Sequence, residues 1–124
     1  MIVLTVEEIT ALHAKLIERT GGSHGLRDQS LLESAVYSAL SAFGDREAYP
    51  TVEEKAARLM FALTNNHAFV DGNKRIGMYV LLTFLEVNGI PLEVTDEEVV
   101  NVGLGLAEGK MKYEELLQWI KDHE

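Results

Sequence analysis

His67-Ala68-Phe69-Val70-Asp71-Gly72-Asn73-Lys74-Arg75 runs without a break into Ile76-Gly77-Met78-Tyr79-Val80-Leu81-Leu82-Thr83-Phe84-Leu85-Glu86-Val87. The second part carries Ile76, Met78, Val80, Leu81, Leu82, Phe84, Leu85 and Val87, so a helix built from it is apolar on nearly every side. Such a helix belongs at the buried centre of a bundle rather than on a surface. Asn88-Gly89, with Pro91 just beyond, closes it, and the spacing predicts a helix over Lys74–Asn88. The first part gathers an imidazole, a carboxylate, a turn glycine, an amide and two cations, which is denser chemistry than a connector requires.

Upstream of this stretch the pattern is helical throughout. Thr5-Val6-Glu7-Glu8 has the form of a capping box, and Ile9, Leu12, Leu16 and Ile17 follow at helical spacing until Gly21-Gly22. A polar loop over Ser23–Arg27 precedes Asp28, a good cap for a second helix with Leu31, Leu32, Ala35, Val36, Ala39, Leu40 and Phe43 as its buried stripe. His24 and Arg27 are candidates for a site, against the plainer readings of a surface histidine and an arginine paired to a carboxylate. Gly44 to Pro50 breaks the pattern and reads as an exposed excursion with room for a short hairpin. Thr51-Val52-Glu53-Glu54 opens a third helix that buries Ala56, Leu59, Met60 and Leu63 and delivers His67 at its end.

Downstream, Asn73 is expected to cap the central helix, with Phe69 anchoring the loop in the core. Thr95-Asp96-Glu97-Glu98 is another capping box, ahead of Val99, Val102 and Leu106, while Gly103, Gly105 and Gly109 predict close packing or fraying. A last helix over Tyr113–Asp122 is expected to bury Leu116, Leu117 and Ile120, with Trp119 as a core plug. Strand signals are weak throughout. The expectation is one all-α domain spanning 1–124, a compact bundle of about six helices around a central buried helix, with a short hairpin flap as an option.

Composition narrows the function. At 124 residues, 47% hydrophobic and 25% charged, the chain suits one soluble globular domain. It has no cysteine, which excludes disulfides and thiolate chemistry and agrees with a reducing compartment. No basic leader or long apolar run starts the chain, and the stretch from Ile76 to Leu85 is too short to span a bilayer, so a cytoplasmic protein without membrane contact is expected. A formal net charge of −9 argues against direct nucleic-acid binding. Against that background Lys74-Arg75 is a local cationic spot, better matched to one bound phosphate group than to a polymer.

The loop itself suggests phosphate chemistry. The first turn of a helix presents unpaired amides and the positive end of its dipole, which favour an anion. Gly72 lets the backbone approach a ligand, and Asn73, Lys74 and Arg75 add donors and charge. Asp71 is a hard oxygen ligand placed to hold Mg²⁺ against phosphate oxygens. His67 stands four residues before Asp71 and can take a proton from an incoming hydroxyl. Singly, each residue has a bland explanation: a structural histidine, a plain Asp-Gly turn, a solvated Lys-Arg pair. Two cations at a positive helix end are unfavourable unless an anion compensates them.

The order His67, Phe69, Asp71, Gly72, Asn73, Lys74, Arg75 resembles the signature of the Fic/Doc superfamily, H-x-F-x-[D/E]-G-N-[G/K]-R. Lys74 is similar to the Doc branch, where Fic adenylyltransferases carry glycine, and Gly25 to Ala35 resembles a second Doc-like stretch. The resemblance implies a Fic fold and the toxin of a type II toxin–antitoxin pair. It implies ATP and Mg²⁺ as cofactors and transfer of the γ-phosphate to a translation elongation factor, blocking protein synthesis. His67 would then be the catalytic base, Asp71 the metal ligand, and Gly72, Asn73, Lys74 and Arg75 the nucleotide-phosphate ligands. Two positions depart from the Fic pattern. Met78 stands where adenylyltransferases have a second arginine, which disfavours AMP transfer, the alternative activity, and Ala68 replaces a common proline. Leu104 precedes Glu108-Gly109 where a self-inhibitory motif requires Ser or Thr, so inhibition is expected from a cognate antitoxin. A catalytically silent interaction domain is a further alternative. Nucleic-acid cleavage is disfavoured by the charge and by the lack of a second histidine or carboxylate in the loop.

Overall fold

The computed structural model describes residues 1–124 apart from the side chain of Phe43. It contains six helices and one hairpin: α1 (Val6–Thr20), α2 (Gln29–Leu40), β1 (Ala42–Phe43), β2 (Arg46–Glu47), α3 (Val52–Asn66), α4 (Asn73–Val87), α5 (Asp96–Ala107) and α6 (Tyr113–Asp122). None of the helices is long and apolar enough to cross a membrane among the described residues.

Helix starts follow the side chains that satisfy orphan amides. Thr5 and Thr95 each form a reciprocal capping box with the glutamate three residues on, Glu8 and Glu98. Asp28 Oδ1 accepts from the Ser30 and Leu31 amides at 3.0 and 3.3 Å. The box at Thr51 closes differently. Its hydroxyl accepts from the Glu54 amide at 3.1 Å and donates to the Glu54 carboxylate at 2.9 Å, so the return bond reaches the hydroxyl rather than the Thr51 N–H.

The bundle's centre is the pair α3 and α4. Helix α4 packs on α1, α3 and α5, while α3 also packs on α2 and α6. Ile76, Val80, Leu81, Phe84 and Leu85 of α4 are fully buried in one core with Ala56, Met60 and Leu63 of α3. Gly77 brings the two helices close: a Cβ there would sit 2.7 Å from Thr64 Oγ1 and 3.3 Å from the Met60 carbonyl. The Asn88 amide, just past α4, exchanges two hydrogen bonds with the Ile2 backbone (2.7 and 2.8 Å) and pins the N-terminal segment.

The excursion after α2 is a two-stranded antiparallel hairpin pairing Ala42 with Glu47 and Phe43 with Arg46. Lys55 of α3 anchors it from below. This lysine is buried, and its ammonium donates to the Tyr49 carbonyl and pairs with Glu47 at 3.3 Å.

Several expectations about the core need correction. Helix α2 ends at Leu40 because Ser41 turns extended (φ −64°, ψ 146°) into the hairpin, leaving Leu40 exposed. The burial expected of Phe43 lies outside the described residues. Trp119 is half-buried rather than a core plug: Leu116 and Ile120 take the face of α6 that meets the core, and the indole lies at its edge against His123, ring centroids 4.4 Å apart. Leu117 is half-buried for the same reason, and Val87 is exposed at the end of α4. Gly103 has open space around it rather than a close neighbour, whereas Gly105 does pack: a Cβ there would lie 3.4 Å from Met111 Cβ.

Candidate active site

His67 terminates α3 in the left-handed conformation (φ 54°, ψ 45°) and is the only non-glycine residue with positive φ among the described residues. A side chain rarely tolerates that backbone, and it persists where surrounding bonds over-determine it. Arg27 supplies them: its Nε donates to the His67 carbonyl at 2.7 Å, and its backbone N–H donates to the Ala68 carbonyl at 2.8 Å. The imidazole itself is exposed on the cavity side. Arg27 therefore serves the site through backbone carbonyls, not through a carboxylate. His24 stays on the surface.

The loop after His67 is paired along its length. Leu26 and Phe69 form an antiparallel bridge, with the Val70 amide donating to the Gly25 carbonyl at 3.0 Å. Phe69 is buried as expected, and its ring stacks on His13 of α1, centroids 3.9 Å apart and planes 12° from parallel. His13 Nε2–H donates to the Asp71 carbonyl at 2.7 Å, which fixes the tautomer. Sequence reasoning missed His13. The available signal was its place one turn from Ile9 and from Ile17, on the buried face of α1.

Asn73 does not cap α4. Gly72 is the cap residue, in the left-handed region at φ 74°, and Asn73 is the first helical residue. Its amide turns back onto Phe69, accepting from the Phe69 N–H and donating to the Phe69 carbonyl, both at 3.0 Å. A loop backbone leaving the core needs both groups satisfied, and a side-chain amide satisfies them together. The Ile76 N–H closes the first turn on the Gly72 carbonyl at 2.8 Å, so the amides of Asn73, Lys74 and Arg75 precede any helical acceptor.

Charge is distributed unevenly over this turn. Arg75 reaches away from the helix end, donating to Thr20 Oγ1 (2.5 Å) and the Gly21 carbonyl (2.9 Å) at the close of α1, and lies 3.6 Å from Asp71 Oδ1. That removes the puzzle of two cations on one helix start: Arg75 is compensated by the negative end of α1 and by a carboxylate. Lys74 is exposed and makes no ion pair among the described residues. Asp71 accepts from the Ser23 amide at 3.0 Å and from the Gly72 amide at 2.8 Å. The Ser23 bond foremost, then Gly72 and Arg75, hold its carboxyl below the usual 3.8, so it is a carboxylate at neutral pH. Gly22 permits this approach, since a Cβ there would lie 2.4 Å from Asp71 Oδ2.

These groups line one cavity of about 420 Å³, walled by Thr64, His67, Val70, Asp71, Gly72, Asn73, Lys74 and Arg75. It combines an exposed imidazole, free amides at a helix start, a cation and an ionised carboxylate. Thr64 in its wall is buried, with a hydroxyl that has no hydrogen-bond partner. Such an orphan costs about 1–3 kcal/mol. No group of three or more metal-ligating side chains occurs among the described residues. The donor set fits Mg²⁺ only as an ion held by Asp71 and, for the most part, by oxygens of a bound phosphate.

Residues 3–85 match the Fic/DOC family. The chain belongs to that family. Over 72 residues this Fic/DOC chain is 43% identical to Toxin Doc of Mycolicibacterium smegmatis, a match covering 58% of the chain and 55% of that protein. Over 109 residues it is 32% identical to Protein kinase doc of Escherichia phage P1, covering 87% of the chain and 84% of the phage protein. The first match thus spans about half of the mycobacterial relative. The Fic/DOC region takes in the whole cavity wall from Thr64 to Arg75 and ends in α4, so α5 and α6 lie beyond it.

Proposed function

We propose that this Fic/DOC protein is a toxin that moves the γ-phosphoryl group of ATP onto a hydroxyl of a protein, a translation elongation factor, and is neutralised by a cognate antitoxin. The observation that carries the reading is the shared cavity: His67 and the open amides at the start of α4 face the same space, with Lys74 at its rim. The printed names of the two relatives, a toxin and a protein kinase, support the same reading.

In this reading the phosphates lie on the α4 N-terminus, held by the Gly72–Arg75 backbone and the Lys74 ammonium. His67 accepts the proton of the attacking hydroxyl, and its fixed carbonyl keeps the ring pointed at the cavity. Asp71 supplies a carboxylate for Mg²⁺, which when bound would offset phosphate charge. Asn73 and His13 hold the loop's shape through Phe69 and the Asp71 carbonyl, and Arg75 braces it against α1. The protein would work in the cytoplasm, where ATP and translation factors are.

Incubation with a cell extract and ATP labelled at the α- or the γ-phosphorus tests the reaction. Protein label from the γ-position alone is expected, and His67→Ala should reduce it by roughly 10²–10⁴-fold. Label from the α-position alone would replace the kinase reading with AMP transfer. Growth inhibition by His67→Ala equal to that of the wild type would point instead to a silent interaction domain.

A further inference from the structure

Threonines inside helices ordinarily return their hydroxyl to the carbonyl four residues back, and this chain does so twice. Thr10 donates to Val6 at 2.8 Å and Thr20 to Leu16 at 2.8 Å. Thr64 and Thr83 are helical threonines without that bond among the described residues, and Thr64 is the buried one: the residue is 3% exposed and its Oγ1 has no partner. Buried polar groups in folded proteins are almost always paired, and the residue carrying this orphan lines the cavity, where a bound ligand can bring an acceptor.

The position of this hydroxyl narrows what that acceptor is. Thr64 lies one turn before His67 on α3 and lines the same cavity as the first turn of α4. Gly77 leaves room for this hydroxyl, because a Cβ there would come within 2.7 Å of Oγ1. On the same wall the α4 amides and Lys74 are donors and a cation that gather an anion, while the Asp71 carboxylate and the His67 imidazole also line the space.

Resting on the phosphoryl-transfer reading above, we propose that Thr64 Oγ1 is a phosphate-binding donor. It gives its proton to an oxygen of the phosphate group seated on the α4 N-terminus, on the side of that group facing α3. The ligand is thereby gripped from both central helices, by backbone amides of α4 and by a side chain of α3.

Calorimetric titration of the wild type, Thr64→Val and Thr64→Ser with magnesium ATP, and separately with inorganic phosphate, tests the assignment. Thr64→Val keeps the shape and removes the hydroxyl, so both ligands should bind about tenfold more weakly, with a melting temperature no lower than the wild type's. Thr64→Ser should restore affinity to within about twofold. Thr64→Ala, which adds no bulk beside Gly77, should lose affinity as valine does. Unchanged binding by Thr64→Val or Thr64→Ala would overturn the proposal while leaving the phosphoryl-transfer reading intact. A loss confined to ATP would overturn the assignment to a phosphate oxygen. Wild-type protein that binds neither ligand would overturn the broader reading together with this one.

Discussion

His67, the proposed base, illustrates how a site can be bought with backbone strain. It occupies a left-handed position that glycine fills freely at many helix ends, yet it carries an imidazole into the cavity. His67→Gly should raise unfolding free energy by about 1 kcal/mol in urea denaturation while abolishing phosphoryl transfer. A loss of stability instead would mean that the imidazole makes contacts outweighing the backbone strain. Asn73 and Arg75 show the complementary behaviour. Both belong to the signature and line the cavity, and both side chains are also engaged by protein groups, Asn73 with the Phe69 backbone and Arg75 with Thr20 and Gly21. These bonds shape the loop, and Lys74 is the exposed cation of the turn.

At the scale of elements, α3 and α4 are held together by small residues as much as by large ones. Gly77 is where the two backbones come closest to interfering, with Thr64 Oγ1 and the Met60 carbonyl both near its missing side chain. Gly77→Ala should destabilise the protein by about 1–3 kcal/mol, measured by chemical denaturation. Combined with Thr64→Ala the loss should be smaller than the sum of the two single changes, because one clash is relieved. Strict additivity would show that the Met60 carbonyl, not the threonine, sets the distance. The interhelical contact could not be read from the sequence. A glycine within an apolar helix pattern looks like a weak point, and only the crossing of α3 over α4 makes it a necessity.

Over the whole molecule, the helices beyond the Fic/DOC match are tied down by a C-terminal latch. His123 Nδ1–H donates to the Trp119 carbonyl at 2.7 Å, its Nε2 pairs with Glu98, and its carbonyl accepts from the Glu93 amide at 3.1 Å. The Trp119 bond, then Glu98, raises the His123 pKa above 6.5. The Thr95 amide, then His123, lowers that of Glu98 below 4.5. A raised histidine contributes stability that is complete below 6.5 and lost as pH rises through the folded value. A lowered glutamate contributes stability present above 4.5 and lost as pH falls through its folded value. The latch is therefore strongest between pH 4.5 and 6.5. His123→Gln should lower the melting temperature most within that window, and the gap to wild type should narrow above it. A gap independent of pH would show that packing against Trp119, rather than the ion pair, is what the histidine contributes.

By itself the sequence determined the existence of the helices and several of their caps, because those depend on residues a turn or less apart, although it misplaced the cap of α4 and the end of α2. Thr5, Asp28 and Thr95 meet their partners within three residues. The buried stripe of α4 and the order from His67 to Arg75 are likewise local. Only the tertiary structure decided which of several donors each loop group receives. Ser23 reaches Asp71 across 48 residues, Arg75 reaches Thr20 across 55, and His13 reaches the Asp71 carbonyl across 58. Such partners are selected by how α1 and the segment after it pack against α4, and sequence spacing carries no trace of that choice. The orphaned hydroxyl of Thr64 is the extreme case. In the sequence it is one more helical threonine, and only the close approach of Gly77 and the cavity beside it set it apart.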